Sequence, residues 1–215
     1  MAAQVIAVAD FGVGNLHSVV GALRRAAADA KIVLANDAET LARADKVILP
    51  GDGHFDACMR AITKRGLREV LLTAAATKPF WGICAGMQML YESSEEGELP
   101  GLGIFAGRIR KLPQKSSGEL PDNMSNGATK IPHIGWNTTM ITKPQHPMLN
   151  GITDGARFYF IHSYYAAPDE NTAATTKHGT TITAISAKQN IFASQFHPEK
   201  SATPGERLIK NFITP

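Results

Sequence analysis

Two short segments of the chain carry the residue types that nucleophilic catalysis needs. In the first, Cys84 stands between Gly82 and Gly86, directly after an apolar run that predicts a buried strand. A nucleophile on a sharp strand-to-helix turn needs small neighbours, and this spacing matches such an elbow with cysteine in place of serine. The start of the following helix favours a thiolate, and the Ala85 N–H is placed to donate to an oxyanion. The segment predicts acyl transfer by Cys84, against the alternative of a buried structural cysteine.

The second segment supplies a base for this cysteine and a group that orients the base. His197 follows an apolar run that predicts another strand, Pro198 fixes the backbone, and Glu199 comes two residues after the histidine. A carboxylate bound to one ring nitrogen leaves the other nitrogen to take the thiol proton. An isolated His-Pro-Glu sequence favours a surface histidine beside a turn, so the assignment depends on the elbow as well.

Both segments, Gly-Ile-Cys-Ala-Gly-Met-Gln at 82–88 and Gln-Phe-His-Pro-Glu at 195–199, resemble the class I (triad) glutamine amidotransferases. The resemblance implies a catalytic triad of Cys84, His197 and Glu199. It implies that the cysteine attacks the side-chain amide of glutamine, that ammonia leaves, and that water hydrolyses the glutamyl thioester.

Further motifs narrow the resemblance to the glutaminase subunits of imidazole glycerol phosphate synthase, an enzyme of histidine biosynthesis. Each motif is weak alone, but the ordered set runs from the first strand to the last helix. The resemblance implies a heterodimer with the cyclase (synthase) subunit of that enzyme, L-glutamine as the small-molecule substrate, and ammonia passed through a tunnel. The motifs are Asp10-Phe-Gly-Val-Gly-Asn-Leu16, Leu49-Pro-Gly-Asp-Gly-His-Phe55, Ile131-Pro-His-Ile-Gly-Trp-Asn137, Phe158-Tyr-Phe-Ile-His-Ser-Tyr-Tyr165 and His197-Pro-Glu-Lys-Ser201.

The resemblance also assigns an oxyanion strand to residues 50–53. Gly51, Asp52 and Gly53 would present a backbone N–H to the oxyanion together with Ala85, and glycine makes a peptide flip in this strand inexpensive. The family usually has an apolar residue between these glycines. A carboxylate facing a developing oxyanion is unfavourable, so we expect Asp52 to point away.

Substrate and partner roles follow from the same resemblance. Gln88, one helical turn after Cys84, would hydrogen-bond the substrate glutamine, and Ser163 and Tyr164 match positions that hold its α-amino and α-carboxyl groups. Trp136 has the alternative of a core aromatic residue. Residues expected at the partner interface or along the ammonia route are Asn15, His133, Trp136, Asn137 and Tyr159.

Repeated strand–helix units in the first half of the chain predict a parallel sheet covered by helices on both faces. After Tyr91, strands dominate and favour additional antiparallel pairing. We therefore expect one α/β domain over residues 1–215 with the flavodoxin-like fold of the class I amidotransferases, and an exposed, mobile excursion over residues 113–128. The predicted strands are 5–9, 31–35, 46–49, 79–83, 104–112, 130–134, 157–161, 181–187 and 191–196, and the predicted helices are 16–28, 55–72 and 202–212.

Composition excludes several classes of protein. Hydrophobic residues make up 44% of the 215 residues, which excludes a disordered chain. The net charge of +3 comes without a basic run, so no nucleic-acid partner is expected. The N-terminus lacks the positive region of a signal peptide, and no apolar stretch approaches the ~20 residues of a membrane span. These features predict a cytoplasmic protein without a membrane partner.

No cofactor or metal is expected. Gly12 and Gly14 follow a strand, but His17 stands where a dinucleotide-binding motif needs its third glycine. The seven histidines lack the spacing of a metal site. Cys58 has no elbow around it, which favours a core position.

Three other functions remain as alternatives. The glutaminase of pyridoxal phosphate synthase shares the triad but lacks the motif at 131–137. A non-catalytic interaction subunit would keep the fold without the chemistry, although all three triad residues are present. A cysteine peptidase of related fold fits less well, because Gln88, Ser163 and Tyr164 suit a small amino-acid substrate.

Overall fold

The computed structural model describes residues 3–27, 29–113 and 129–214. Strand and helix alternate up to Cys84, and strands dominate from there to the closing helix. Apart from Pro113, the excursion expected at 113–128 lies outside the described residues. The helices are α1 Leu16–Ala26, α2 Ala38–Arg43, α3 Phe55–Lys64, α4 Arg68–Thr77, α5 Ala85–Gln88 and α6 Ala202–Ile213, with short 3₁₀ helices at Pro147–Leu149 and Pro198–Lys200. The strands are β1 Val5–Ala9, β2 Lys31–Ala35, β3 Lys46–Gly51, β4 Phe80–Cys84, β5 Tyr91–Ser94, β6 Phe105–Lys111, β7 His133–Thr138, β8 Met140–Ile141, β9 Arg157–His162, β10 Tyr164–Tyr165, β11 Thr172–His178, β12 Thr180–Lys188 and β13 Ile191–Ser194.

An eight-stranded sheet in the order β2-β1-β3-β4-β13-β12-β11-β8 forms the centre of the molecule. The first five strands of this order are parallel, and β12, β11 and β8 continue the sheet with antiparallel pairing. The fold class predicted from the sequence is confirmed. Because β3, β4 and β13 are parallel neighbours, the residues that follow them meet at one edge of the sheet.

Helices cover both faces of this sheet and bury an apolar core on each. On one face, α1 and α6 pack around the fully buried Trp81, whose indole N–H donates to Ser194 Oγ at 3.1 Å. On the other face, α2, α3 and α4 enclose a second cluster that includes Cys58, as predicted for this cysteine. The two clusters hold β4 rigidly between them, which fixes the strand that ends in Cys84.

Two smaller sheets stand beside the large one. One has the strand order β10-β6-β5 and the other is the antiparallel pair of β7 and β9. In the second, Trp136 lies opposite Tyr159 and His133 lies opposite His162. These sheets bring the motifs at 131–137 and 158–165 to the edge where β4 and β13 end.

The helix predicted over 55–72 is wrong in one respect, because the chain forms two helices there. Gly66, between α3 and α4, has a φ of +66°, a conformation that ends a right-handed helix at low cost for glycine.

The strand predicted at 130–134 instead begins at His133 and continues to Thr138. The sequence analysis also missed α2 and β11, which have little apolar periodicity.

A close backbone contact fixes the position of the turn after β4. A Cβ atom on Gly86 would overlap the Leu49 carbonyl oxygen, and one on Gly51 would lie 2.6 Å from the Gly86 nitrogen. Glycine is therefore the residue that lets the turn after β4 approach β3 this closely. In the sheet register, Gly51 lies opposite Cys84.

A buried lysine holds the closing helix against the start of β3. Lys46 Nζ donates to the carbonyl oxygens of Phe212 at 2.7 Å, Ile213 at 3.0 Å and Thr214 at 3.3 Å. These carbonyls lie at the C-terminal end of α6, where a cation is favoured by the helix dipole and by unpaired acceptors. The contact anchors the helix that directly follows His197 and Glu199.

We expect the substitution Lys46→Met to lower the free energy of unfolding by about 2 kcal/mol, because it removes charge-assisted hydrogen bonds from buried carbonyls. Urea denaturation monitored by circular dichroism measures this loss. Lys210→Met is the matched control, since Lys210 is an exposed residue of the same helix. Equal stability of the two variants would contradict this role of Lys46.

Candidate active site

Cys84 occupies a strained turn between β4 and α5. Its backbone has φ 55° and ψ −115°, a left-handed conformation that is rare for residues other than glycine. The side chain is 6% exposed, and its Sγ lies 3.7 Å from the Ile161 carbonyl oxygen. The predicted elbow is present, although the helix after it is a single turn that ends at Gln88.

His197 and Glu199 meet Cys84 at the same edge of the sheet. The His197 Nδ1 lies 2.8 Å from Glu199 Oε1, and both side chains are almost fully buried. Ser201 fixes this segment, because its Oγ donates to the His197 carbonyl at 2.6 Å and accepts from the Tyr159 N–H at 3.0 Å. The carboxylate thus bonds Nδ1 and leaves Nε2 on the other side of the ring, an arrangement that the predicted triad needs.

The surroundings of His197 favour its protonated form. Burial by itself lowers the pKa of His197, but the interactions of its ring with Cys84 and Glu199 outweigh burial and raise the pKa to about 10. An imidazolium at neutral pH carries the proton that a leaving amine requires. The pair therefore has the charge arrangement of an acid–base catalyst beside a nucleophile.

The predicted oxyanion strand lies directly beside the nucleophile. Gly51 is buried opposite Cys84, while Asp52 and Gly53 are exposed, and Gly53 has a φ of +90°. Asp52 is exposed to solvent, and the direction expected for its carboxylate stays a prediction. Its carbonyl oxygen lies 3.6 Å from the thiol of Cys58, whose pKa burial raises to about 11, so this thiol stays protonated.

Gln88 and Tyr164, which were predicted separately to bind the substrate, are in direct contact. Gln88 Nε2 donates to the Tyr164 carbonyl at 3.0 Å and to Gln195 Oε1 at 3.1 Å. Gln195 Nε2 in turn lies 4.0 Å from Cys84 Sγ. Ser163 precedes Tyr164 and is half-buried. Sequence reasoning missed Gln195, although it precedes His197 by two residues at the end of a strand.

Glu96 is a second residue of the site that sequence reasoning missed. Its Oε2 accepts from the Phe55 N–H at 2.8 Å, at the start of α3. Burial, followed by the negative charges of Glu96 and Glu95, raises the pKa of Tyr164. The acidic run Glu95-Glu96 was the available signal, but where these carboxylates lie depends on the fold.

The pair of β7 and β9 presents different residues on its two faces. Trp136 is 43% exposed on the outer face and packs edge-to-face on Tyr159, with ring centroids 5.9 Å apart. His133 and Asn137 alternate with Trp136 along β7 and therefore face inward. Of the residues expected at a partner interface, Trp136 and Tyr159 share a surface, while His133 is buried.

Asn15 lies on the triad's side of the molecule. Its side chain caps α1 by accepting from the Ser18 N–H at 3.4 Å. Beside it, a cavity of about 20 Å³ has room for one water-sized molecule. The residues that line this cavity are Asn15, Val19, Pro50, Gly51, Asp52, Ile83, His197, Glu199 and Lys200.

The described residues contain neither a metal cluster nor a membrane-spanning helix. Within residues 3–27, 29–113 and 129–214, no group of three or more potential ligand side chains could hold a metal ion. None of the helices in the same ranges reaches the length and apolarity that a membrane crossing requires.

Comparison with known proteins assigns this site to a family. The sequence model of the family described as "Glutamine amidotransferase class-I" matches residues 7–215. The chain belongs to the class I glutamine amidotransferases.

Its relatives include several proteins named "Imidazole glycerol phosphate synthase subunit HisH". The protein from Aromatoleum aromaticum is 46% identical over 211 residues, which cover 97% of each chain. The protein from Dechloromonas aromatica is 44% identical over 215 residues, covering 99% of this chain and 97% of the relative. The protein from Nitrosomonas europaea is 45% identical over 212 residues, again 97% of each chain.

Solved structures agree on the fold. The structure of PurLQS from Thermotoga maritima is 17% identical, with a TM-score of 0.66 over 98% of this chain and 97% of the other. A glutamine amidotransferase from Thermotoga maritima is 15% identical, with a TM-score of 0.62 over 98% of this chain and 82% of the other. At these identities the likeness bears on the fold alone.

We expect Glu199→Gln to lower the pKa of His197 from about 10, because the substitution removes the negative charge that holds the ring proton. An NMR titration of the labelled imidazole measures the change. Glu206→Gln, an exposed carboxylate on α6, serves as the control and should leave the titration unchanged. An unaltered His197 titration in Glu199→Gln would contradict the assigned geometry.

Proposed function

We propose that this chain is the glutaminase subunit of imidazole glycerol phosphate synthase, acting in histidine biosynthesis. The observation that carries the proposal is the strained elbow of Cys84 beside the His197–Glu199 pair. Relatives of 43–46% identity over nearly the whole chain are named as subunits of that enzyme. Residues 1–215 form one glutaminase domain in this account, and its setting is the cytoplasm.

The reaction hydrolyses L-glutamine to glutamate and ammonia in two steps. Cys84 Sγ attacks the side-chain carbonyl carbon, and His197 passes a proton to the nitrogen as the C–N bond breaks and ammonia leaves. Water then attacks the glutamyl thioester while His197 accepts a proton from it. The thioester bond breaks, glutamate leaves, and Cys84 is restored as a thiolate beside the protonated His197. Glu199 keeps the imidazole in the orientation that both steps need.

The tetrahedral intermediates need donors for their oxyanion. We assign this role to the backbone N–H of Ala85 and to an N–H of the Gly51–Asp52–Gly53 strand. The positive φ of Gly53 supports a strand whose peptide can change orientation at low cost. A donor supplied by such a strand gives the isolated subunit weak turnover and lets the partner activate it.

Glutamine recognition falls to the groups around Gln88. Ser163 and Tyr164 hold the α-amino and α-carboxyl groups of the substrate in this proposal. The Glu96 carboxylate, held by the Phe55 N–H at the start of α3, supplies a negative charge that suits the α-ammonium group. Both amide hydrogens of Gln88 are used inside the protein, so its Oε1 is the atom available to the amide of glutamine.

The partner is the cyclase subunit, which combines the ammonia with its own substrate in a heterodimer. As implied by the family, the complete enzyme converts glutamine and a phosphoribulosyl-formimino aminoimidazole carboxamide nucleotide to imidazole glycerol phosphate, AICAR and glutamate. Ammonia released into water at neutral pH becomes mostly ammonium, which is a poor nucleophile, so a closed route is needed. The small cavity beside Asn15 and the triad has a size suited to ammonia.

The outer face of β7 and β9 is the docking surface in this proposal. Ile134 and Trp136 are 58% and 43% exposed, and Tyr159 packs against Trp136. Contiguous exposed apolar side chains mark interaction sites, and tryptophan and tyrosine supply much of the binding energy in such interfaces. His133 and Asn137 face inward, so in this account they support the surface and do not contact the partner.

We expect Cys84→Ala to abolish glutamate release by the chain mixed with its cyclase subunit, because no other group can form the thioester. A coupled glutamate dehydrogenase assay measures this loss. Cys58→Ala is the control, since the other cysteine is a core residue, and it should retain most activity. Retention of activity by Cys84→Ala would refute the mechanism.

We expect Trp136→Ala to raise the dissociation constant for the cyclase subunit by about 30-fold, as for a hot-spot residue of an interface. Isothermal titration calorimetry with the purified subunits measures it. Met140→Ala removes another exposed apolar side chain, 49% exposed on β8, and should bind normally. An equal effect of both substitutions would place the interface elsewhere.

A further inference from the structure

A continuous chain of hydrogen bonds runs from the inner face of β7 to the glutamine pocket. Asn137 Nδ2 lies 3.1 Å from His133 Nε2, and His133 Nδ1 lies 2.9 Å from His162 Nε2. His162 Nδ1 lies 2.9 Å from the Tyr164 carbonyl oxygen, which also accepts from Gln88. None of these four links belongs to a helix or to a strand ladder. The first three, which run through two buried histidines, are called the histidine relay below.

The direction of every proton in the histidine relay is fixed. A carbonyl oxygen can only accept, so the hydrogen of neutral His162 must be on Nδ1, and its Nε2 must accept. The hydrogen of His133 is then on Nδ1, and its Nε2 accepts from the Asn137 amide. The Asn137 amide is held in this orientation, because its Nδ2 also donates to the Lys177 carbonyl at 2.9 Å and its Oδ1 accepts from the Thr138 N–H.

Both histidines of the relay are neutral, as this proton order requires. Burial, followed by the nearby His178, lowers the pKa of His133 to about 4, and burial, followed by His133, lowers the pKa of His162 to about 3. A proton added to His162 would place its Nε2–H against the His133 Nδ1–H at 2.9 Å, and a proton added to His133 would place its Nε2–H against the Asn137 amide at 3.1 Å. The relay is therefore a rigid polar connection in one protonation state.

The Tyr164 carbonyl is the point at which the relay meets the pocket. Tyr164 lies on the two-residue strand β10, a short element whose backbone needs anchors beyond its own ladder. Because its carbonyl accepts only, it selects the Nε2 end of Gln88 and turns the Oε1 end outward. An outward Oε1 can accept from the NH₂ of glutamine but repels the carboxylate of glutamate.

The geometry points to His133 and His162 as positioning residues. They hold the Tyr164 carbonyl so that Gln88 presents its amide oxygen to glutamine. Through them, this alignment depends on the position of β7. The inference rests on the proposed function, because it assigns glutamine as the ligand of the pocket. It goes further by connecting the strand that carries the docking surface to the group that distinguishes substrate from product. His133 and Trp136 are on opposite faces of β7, so a shift of that strand moves both.

The stacking around His133 provides a matched control. The His133 ring is stacked between Phe160, at 4.8 Å, and His178, at 4.1 Å. His178 bonds the Lys130 carbonyl and does not take part in the relay. His178→Phe preserves a stacked aromatic ring there, whereas His133→Phe preserves the stack and removes both relay contacts.

The experiment follows the release of ammonia from glutamine, whose amide NH₂ is the group that Gln88 is proposed to recognise, with the chain alone and with its cyclase subunit. Four variants are compared with the unaltered protein: His162→Leu, His162→Asn, His133→Phe and His178→Phe. Saturation kinetics give the half-saturation constant for glutamine and the maximal rate separately, and glutamate is added as a competitor. Thermal denaturation identifies any variant that does not fold.

We expect His162→Leu and His133→Phe to raise the half-saturation constant about tenfold, the effect of one lost buried hydrogen bond, with the maximal rate nearly unchanged. His162→Asn keeps a donor where Nδ1 stood and should recover most of the loss. Glutamate should compete more strongly in His162→Leu and His133→Phe than in the unaltered protein. The cyclase subunit should lower the half-saturation constants of these two variants less than it lowers that of the unaltered protein. His178→Phe should match the unaltered protein.

Two results would overturn the inference. One is an unchanged half-saturation constant in His133→Phe, and the other is an equal change in His178→Phe, which would assign the effect to packing. If His162→Leu does not fold, the comparison of the two phenylalanine variants decides. Absence of ammonia release by the unaltered protein with its cyclase subunit would refute the proposed function, whereas unchanged kinetics in every variant would refute only the relay.

Discussion

The active site depends on one close contact between backbones. Gly86, in the turn after β4, lies so near the Leu49 carbonyl of β3 that no side chain fits between them. This contact places Cys84 opposite Gly51 and forces the nucleophile into a left-handed conformation. Packing on both buried faces of the sheet holds β3 and β4 in register. This packing offsets the energetic cost of the strained backbone conformation at Cys84.

The parallel order of β3, β4 and β13 determines what surrounds the nucleophile. The oxyanion segment follows β3, Cys84 ends β4, and Gln195, His197 and Glu199 follow β13. The pair of β7 and β9 then covers this edge, with an exposed aromatic face outward and a neutral histidine pair inward. In the proposed account, β7 takes part in both the docking surface and the support of the pocket.

Local patterns led to the prediction of the triad, because Gly-x-Cys-x-Gly indicates an elbow within five residues and this elbow supports the weaker His-Pro-Glu pattern. The parallel sheet followed from the repeated strand–helix units. The break at Gly66 had a local signal, a glycine in a helical stretch, but apolar spacing on both sides of it favoured one long helix. The inward direction of His133 and the contacts of Gln195 and Glu96 depend on pairing between distant segments, which one sequence does not specify. His133 and Trp136 were both predicted at an interface, although residues three apart in a strand face opposite sides.

The central claim is that glutamine is bound covalently to Cys84 during turnover. Rapid acid quenching of the chain with its cyclase subunit and saturating glutamine, followed by mass spectrometry of proteolytic fragments, tests it directly. The account predicts a glutamyl thioester on the fragment that contains Cys84, and only while glutamine remains. Steady production of glutamate with no adduct, or with the adduct on the fragment that contains Cys58, would contradict it.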